Sequence, residues 1–256
     1  MKTLLNIILY SIKENFRTKV YLVLILFSIV LVFTGFLLMG LSGFEQPQRV
    51  LVNTGVTMIE IFCLTLVLLN SIGLFLQDVE NKNIYVFLSK PISRTKFIIG
   101  KYIGLLVVIM CSIFIMFIIH FMFIKIVKWY ITKEYILTLL TIFLKIATIA
   151  SIALLSTIST TSHISAAVLS LLIWIAGHFT SEFIFIVDRI KLKNIQNFLK
   201  IIYYLIPNFQ YFNLKDYFTS SEFISKFNLI KGILYCLIYN SICLFFTCSL
   251  FKKKDL

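Results

Sequence analysis

The chain alternates long apolar runs with short polar connections. Six runs are long enough, at about 1.5 Å per residue, to cross a hydrocarbon core of about 30 Å. They cover roughly residues 20–41, 52–76, 102–127, 136–160, 163–187 and 231–251. Ahead of them, Leu5, Ile8, Leu9, Ile12 and Phe16 recur at the spacing of one helical face, with Asn6, Lys13 and Arg17 off it. This spacing predicts an amphipathic helix lying in the membrane interface.

The connections differ in kind. Between the fourth and fifth runs only Thr160–Ser162 intervenes, which predicts a tight antiparallel helix pair. Ala147, Ser151 and Ser156 lie on one side of it and Ser165, Ala166, Ala167 and Ser170 on the other. Small residues of this kind let membrane helices approach closely. The connection 188–230 is long and aromatic. Ile195, Phe198, Leu199 and Ile202 repeat helically and the pattern stops at Pro207-Asn208. Thr219-Ser220-Ser221-Glu222 has capping-box spacing and predicts a second helix. Both are expected on the outer face.

Composition narrows the function. Of 256 residues, 60% are hydrophobic, mean hydropathy is +0.98 and the net charge is +13. In a soluble protein that charge would suggest nucleic acid. Here the basic residues sit at the ends of apolar runs, where they anchor spans and attract anionic lipid, so membrane lipids are expected partners and nucleic acid is not. The five cysteines show no zinc or disulfide spacing and read as small apolar residues in spans. Met110, Met116 and Met122 read as packing residues. The first run is too long for the core of a cleaved signal and is expected to stay in the protein. The whole, 1–256, is expected to be one transmembrane domain.

Motifs for chemistry are absent. Gly100-Lys101 is followed by Tyr102 and is not a phosphate-binding loop. His120, His163 and His178 form no His-Glu-x-x-His pattern, and no Gly-x-Ser-x-Gly occurs. No metal site, no cofactor and no enzymatic activity are expected in this chain.

Orientation follows Lys and Arg. With the N-terminus inside, the short inner segments hold Lys2, Lys13, Arg17, Lys19, Lys82, Lys90, Arg94, Lys96, Lys101 and Lys252–Lys254. The two short outer connections hold Arg49, Lys125, Lys128 and Lys133. Both termini are therefore expected inside.

Ionisable groups within apolar runs are costly and so informative. Glu60, Lys145 and His178 stand in the second, fourth and fifth runs. Counted back from the inner ends, each falls about four positions, or about 6 Å, inside the outer edge. A shared depth predicts a Glu60–Lys145 ion pair with His178 nearby. It would be either structural or the polar lining of an outer cavity.

Residues 78–104 hold the densest charge. Asp78 and Glu80 suit a helix start. Ile84, Phe87 and Leu88 share one apolar face, and Ser89-Lys90-Pro91 ends the helix. Ser93 can cap the next helix, which runs through Gly100 and Gly104 into the third span. Lys90, Arg94, Lys96 and Lys101 suit lipid phosphates or an acidic partner.

Here the sequence resembles the permease subunits of ABC-2 type transporters. The nearest group is the one labelled for multicopper-enzyme maturation, the nitrous-oxide-reductase accessory permeases. The resembling residues are Glu80-x-Lys82-x-Ile84-Tyr85, Leu88-Ser89-Lys90-Pro91-Ile92-Ser93-Arg94, Gly100-Lys101-Tyr102-x-Gly104, and Tyr204-Leu205-Ile206-Pro207-Asn208-Phe209. Asn83 departs from the Thr or Gly common there. The resemblance implies an all-α membrane protein with six transmembrane helices, an N-terminal interfacial helix, a cytosolic coupling helix between spans two and three, and outer-face helices before span six. It implies a dimer with a second permease copy, homo- or heterodimeric, and a separate ABC ATPase subunit holding ATP and Mg. Accessory proteins are further candidates. Asp78, Glu80, Ile84, Phe87, Leu88, Lys90, Pro91 and Arg94 would then form the ATPase-coupling site, with Glu80 contacting the ATPase. The implied role is export across a bacterial or archaeal cytoplasmic membrane. The alternative is a membrane scaffold or sensor that recruits a cytosolic partner without moving a substrate.

Overall fold

The structure, a computed structural model, describes residues 2–17, 20–40, 47–72, 93–126, 133–160, 162–190, 192–213 and 229–253. All regular elements among them are helical. They are α1 (Lys2–Arg17), α2 (Val20–Gly40), α3 (Pro47–Val67), a π-helical turn (Leu68–Ile72) and α4 (Arg94–Ile126). After these come α5 (Lys133–Ser159), α6 (His163–His178), α7 (Thr180–Val187), α8 (Lys193–Leu205), a 3-10 turn (Phe209–Phe212) and α9 (Leu229–Lys253). With no water in a bilayer core to satisfy backbone groups, an apolar chain closes its hydrogen bonds within helices.

Among the described residues, five helices are long and apolar enough to cross a membrane: Val20–Leu37, Val50–Asn70, Arg94–Ile126, Tyr135–Ser159 and Leu229–Lys253. The pair α6–α7 makes a sixth if taken together, but it bends by 65°. The run 163–187, read as one span, thus folds as two helices that meet at a bend. The third span starts at Arg94, eight residues before the position read from hydropathy, because Ser93 Oγ accepts from Lys96 N and caps α4 there.

α5 is the central helix. Within its span 67% of residues are buried, against 28% in α2 and α9. α5 packs on α3, α4, α6 and α9. The peripheral helices expose Phe33, Phe36 and Phe245, as lipid-facing helices do. The α5–α9 seam is small and polar. Ser151 Oγ donates to Asn240 Oδ1 at 3.0 Å, and Cys236 Sγ donates to the Leu144 carbonyl. The expected α5–α6 pair also forms, with Ala166 and Ser170 fully buried.

The N-terminal helix is more than an interfacial float. Its buried side chains are Ile7, Ser11 and Asn15, one stripe along α1. That stripe lies on Gly100 and Gly104 of α4, where an added Cβ would collide with Ile7 and Ser11. Lys101 Nζ completes the joint with Glu14 Oε2 at 2.5 Å. Leu5 and Leu9 of the apolar face remain exposed for lipid. Gly100-x-x-x-Gly104 therefore serves as a close-packing motif for α1.

At the same end, Ile7, Phe97, Ile98, Ile158, Cys248 and Phe251 form a separate apolar cluster. It joins the first helix, the start of α4 and the ends of α5 and α9. We call this the Arg94 end. The opposite end holds Tyr135, His178 and the 3-10 turn.

Candidate functional site

Three helices each place one ionisable side chain at one point in the bundle. Lys145 Nζ on α5 donates to Glu60 Oε1 on α3 at 2.9 Å. His178 Nε2, on the last residue of α6, lies 3.1 Å from Lys145 Nζ and 3.2 Å from Glu60 Oε1. The side chains of Glu60 and Lys145 are 4% and 6% exposed, whereas His178 is 32% exposed. The pair is thus withdrawn from solvent and the imidazole is reachable. The shared depth read from the sequence does bring these residues together. Glu60 stands ten residues into Val50–Asn70 and Lys145 ten residues into Tyr135–Ser159.

Opposite charges buried together offset part of each other's desolvation cost, and removing one partner strands the other. His178 and aromatic rings enclose the pair further. The Phe209 ring lies 5.9 Å from Lys145 Nζ and 5.3 Å from the His178 ring. The Trp174 ring lies 4.6 Å from that of His178.

The bend at Phe179 is what brings His178 into the bundle and admits the 3-10 turn. Gly177 leaves room for the Phe209 ring and the Pro207 carbonyl, which a Cβ would strike. The polar groups freed by the break find partners on the turn. Gln210 Nε2 donates to the His178 carbonyl at 3.0 Å, and Thr180 Oγ1 donates to Asn208 Oδ1 at 2.9 Å. Asn208 Oδ1 also accepts from Gln210 N at 3.0 Å. α9 holds the turn from the far side: Asn208 N donates to Tyr235 Oη at 2.8 Å and Tyr239 Oη to the Leu205 carbonyl at 3.1 Å. A helix broken inside an apolar region is tolerated where such partners satisfy its backbone.

α8 follows the broken span as an amphipathic helix with Ile195, Phe198, Ile201 and Leu205 exposed. Lys200 pairs with Asp188 at 3.1 Å. The helix expected from Thr219-Ser220-Ser221-Glu222 lies outside the described residues.

Of the coupling residues, Asp78, Glu80, Ile84, Phe87, Leu88, Lys90 and Pro91 lie outside the described residues. Arg94 is described. It opens α4 and reaches α9, with Nη1 donating to the carbonyls of Phe251 at 3.0 Å and Lys252 at 3.1 Å.

A further buried polar group lies outside this cluster. His120 on α4 is 1% exposed, and Tyr135 Oη meets its Nδ1 at 2.7 Å. Its ring packs on Gly55, where a Cβ would clash. It lines a small cleft with Thr34, Thr54 and Met58. A histidine in an apolar run was the available signal, the same one that marked His178. No group of three or more His, Cys, Asp or Glu side chains suited to a metal occurs among the described residues.

A family model for ABC-2 family transporter proteins matches residues 5–256. No curated protein matches the chain significantly. Members of this family are membrane subunits of ABC transporters, generally not catalytic themselves, and work with an ABC ATPase. With its apolar helices and a match that spans almost its whole length, the chain belongs to the ABC-2 family of transporter proteins as a multi-pass membrane permease subunit.

Proposed function

We propose that this permease is an exporter driven by a separate ATPase that docks on residues 78–94. Arg94 carries the reading. It directly follows the charged connection, and its guanidinium grips the last turn of α9. A displacement of the connection would therefore act on α4 and α9 together. The Arg94 end also gathers α1 and the close of α5, so a push there meets four helices at once. Glu80 is the proposed ATPase contact, and the turn from Ser89 to Arg94 sets the angle of the docking helix.

The Arg94 end is the cytosolic one in this reading, with both termini on that side. Its basic residues Lys96, Lys101, Lys252 and Lys253 agree with the charge bias of inner segments. The permease acts as a dimer in the cytoplasmic membrane of a bacterium or archaeon. The Glu60–Lys145–His178 cluster lies inside the bundle, at the bend between α6 and α7.

The test is copurification. The tagged chain, expressed with the ATPase of its own gene neighbourhood, should retain it and show nucleotide turnover. Glu80→Lys should insert normally in the membrane and lose the ATPase. Normal assembly of that variant would overturn the docking assignment.

A further inference from the structure

We propose that α8 is an in-plane membrane helix, sunk in the leaflet opposite the Arg94 end, and that lipid is the partner of its apolar face. No residue of α8 is buried within the protein. Ile195, Phe198, Ile201 and Leu205 share one face and are 47%, 61%, 60% and 70% exposed. Lys193, Asn197 and Lys200 lie on the other side of the helix. An apolar face this large needs an apolar occupant. The level of α8 in the membrane says which.

That level follows from helix lengths. α6 starts beside the last turn of α5, whose Ile158 belongs to the cluster at the Arg94 end. With α6 along the membrane normal, its 16 residues rise about 24 Å. α7 has 8 residues and, bent by 65°, adds about 5 Å along the same axis. Together they cover about 29 Å, close to a hydrocarbon core of about 30 Å, so α7 ends near the far boundary of the core. After α8 the chain is back at the last turn of α6. There the Pro207 carbonyl abuts Gly177, and the Phe209 ring lies 5.3 Å from that of His178. The two ends of α8 thus differ in level by about 7 Å, while its 13 residues span about 20 Å. α8 therefore lies closer to the membrane plane than to the normal, at the depth of the upper acyl chains.

Neighbouring residues fit that depth. α8 packs on α7, whose Phe185 and Ile186 are exposed like the apolar face of α8 itself. Arg189 folds its guanidinium over the Phe185 ring at 4.0 Å, as a long basic side chain does at the edge of the hydrocarbon. Lys200 pairs with Asp188 on the polar side. The end of α8 and the turn after it gather Tyr203, Tyr204, Tyr211, Tyr235 and Tyr239. Tyrosine favours the boundary between membrane and water. A helix inserted there fills area in one leaflet only.

Fluorescence quenching in phosphatidylcholine nanodiscs tests this on the full chain. Cys111→Ser removes the exposed cysteine and leaves Cys63, Cys236, Cys243 and Cys248, which are buried. In that background Phe198→Cys, Ile201→Cys, Lys193→Cys and Asn197→Cys are each labelled with bimane. The labels at 198 and 201 should lose most of their emission to a phospholipid carrying a nitroxide high on its acyl chain, and little to aqueous iodide. Those at 193 and 197 should show the reverse order. Equal iodide quenching at all four positions would put the apolar face in water. Shielding of the labels at 198 and 201 from both quenchers would show protein, such as a second copy, covering it. Either result would overturn the proposal. The measurement uses this chain alone, so its outcome is separate from that of ATPase copurification.

Discussion

Arg94 caps Phe251: the first residue of α4 donates from Nη1 to the carbonyls of Phe251 and Lys252 at the far end of the chain. The last carbonyls of a helix have no partner within it, so a guanidinium there satisfies groups that otherwise need water. Its charge also suits the negative end of the helix dipole. Phe97 and Phe251 stack beside this contact at 6.2 Å.

Arg94→Ala should therefore loosen the last turn of α9. A lost hydrogen bond to a charged donor is worth about 1.5–3 kcal/mol. Amide exchange over residues 249–253 should rise roughly tenfold or more, by hydrogen–deuterium exchange in nanodiscs. Arg94→Lys should recover only part, because an ammonium lacks the fork that spans two carbonyls. Unchanged exchange in Arg94→Ala would show the cap to be energetically idle.

The Glu60–Lys145 pair makes a charge-swap prediction. Glu60→Lys alone leaves two buried cations and should cost about 3–5 kcal/mol, read as reduced thermal stability in detergent. Adding Lys145→Glu should restore a substantial part of that loss. A double variant no more stable than Glu60→Lys would exclude an energetically meaningful pair.

Gly104 tests the docking of α1. Its Cβ would meet Ser11 and the Ile8 carbonyl. Gly104→Ile should displace α1 and open the Lys101–Glu14 pair, at a cost of about 1–3 kcal/mol. A Ser11→Cys reporter, protected in the parent, should then react with a water-soluble maleimide. Continued protection would mean that α1 docks without needing this glycine.

His120 and Gly55 form a fourth test, since the ring occupies the space that a side chain on Gly55 would fill. Gly55→Ala should destabilise by about 1–3 kcal/mol. In a His120→Ala background the same change should cost markedly less, because the colliding ring is gone. Equal costs in both backgrounds would place the strain elsewhere.

Much of this was legible because charge in an apolar run is expensive and so conspicuous. Glu60, Lys145 and His178 could be paired by depth from span lengths alone. His120 carried the same signal, but its partners Tyr135 and Gly55 are not ionised and left no charge to match. The break at Phe179 was hidden for a different reason. Thr180, Ser181 and Glu182 mark it as a short polar patch, but what stabilises it lies about thirty residues away, at Asn208 and Gln210. Gly177 was a further local hint. Gly100 and Gly104 were visible as residues but not as a docking groove, because their partner stripe of Ile7, Ser11 and Asn15 lies off the apolar face of α1.

The contacts on α9 have a mechanical consequence. Arg94 holds one end of this helix, while Tyr235 and Tyr239 tie its opposite part to the turn beneath the broken span. A 25-residue helix is about 37 Å long. Its seam against α5 includes small and polar side chains joined by hydrogen bonds such as Ser151–Asn240. Secured near both ends, α9 has the attributes of a tie rod. Under the proposed docking at the Arg94 end, a tug there would reach the 3-10 turn through α9 as tilt or displacement.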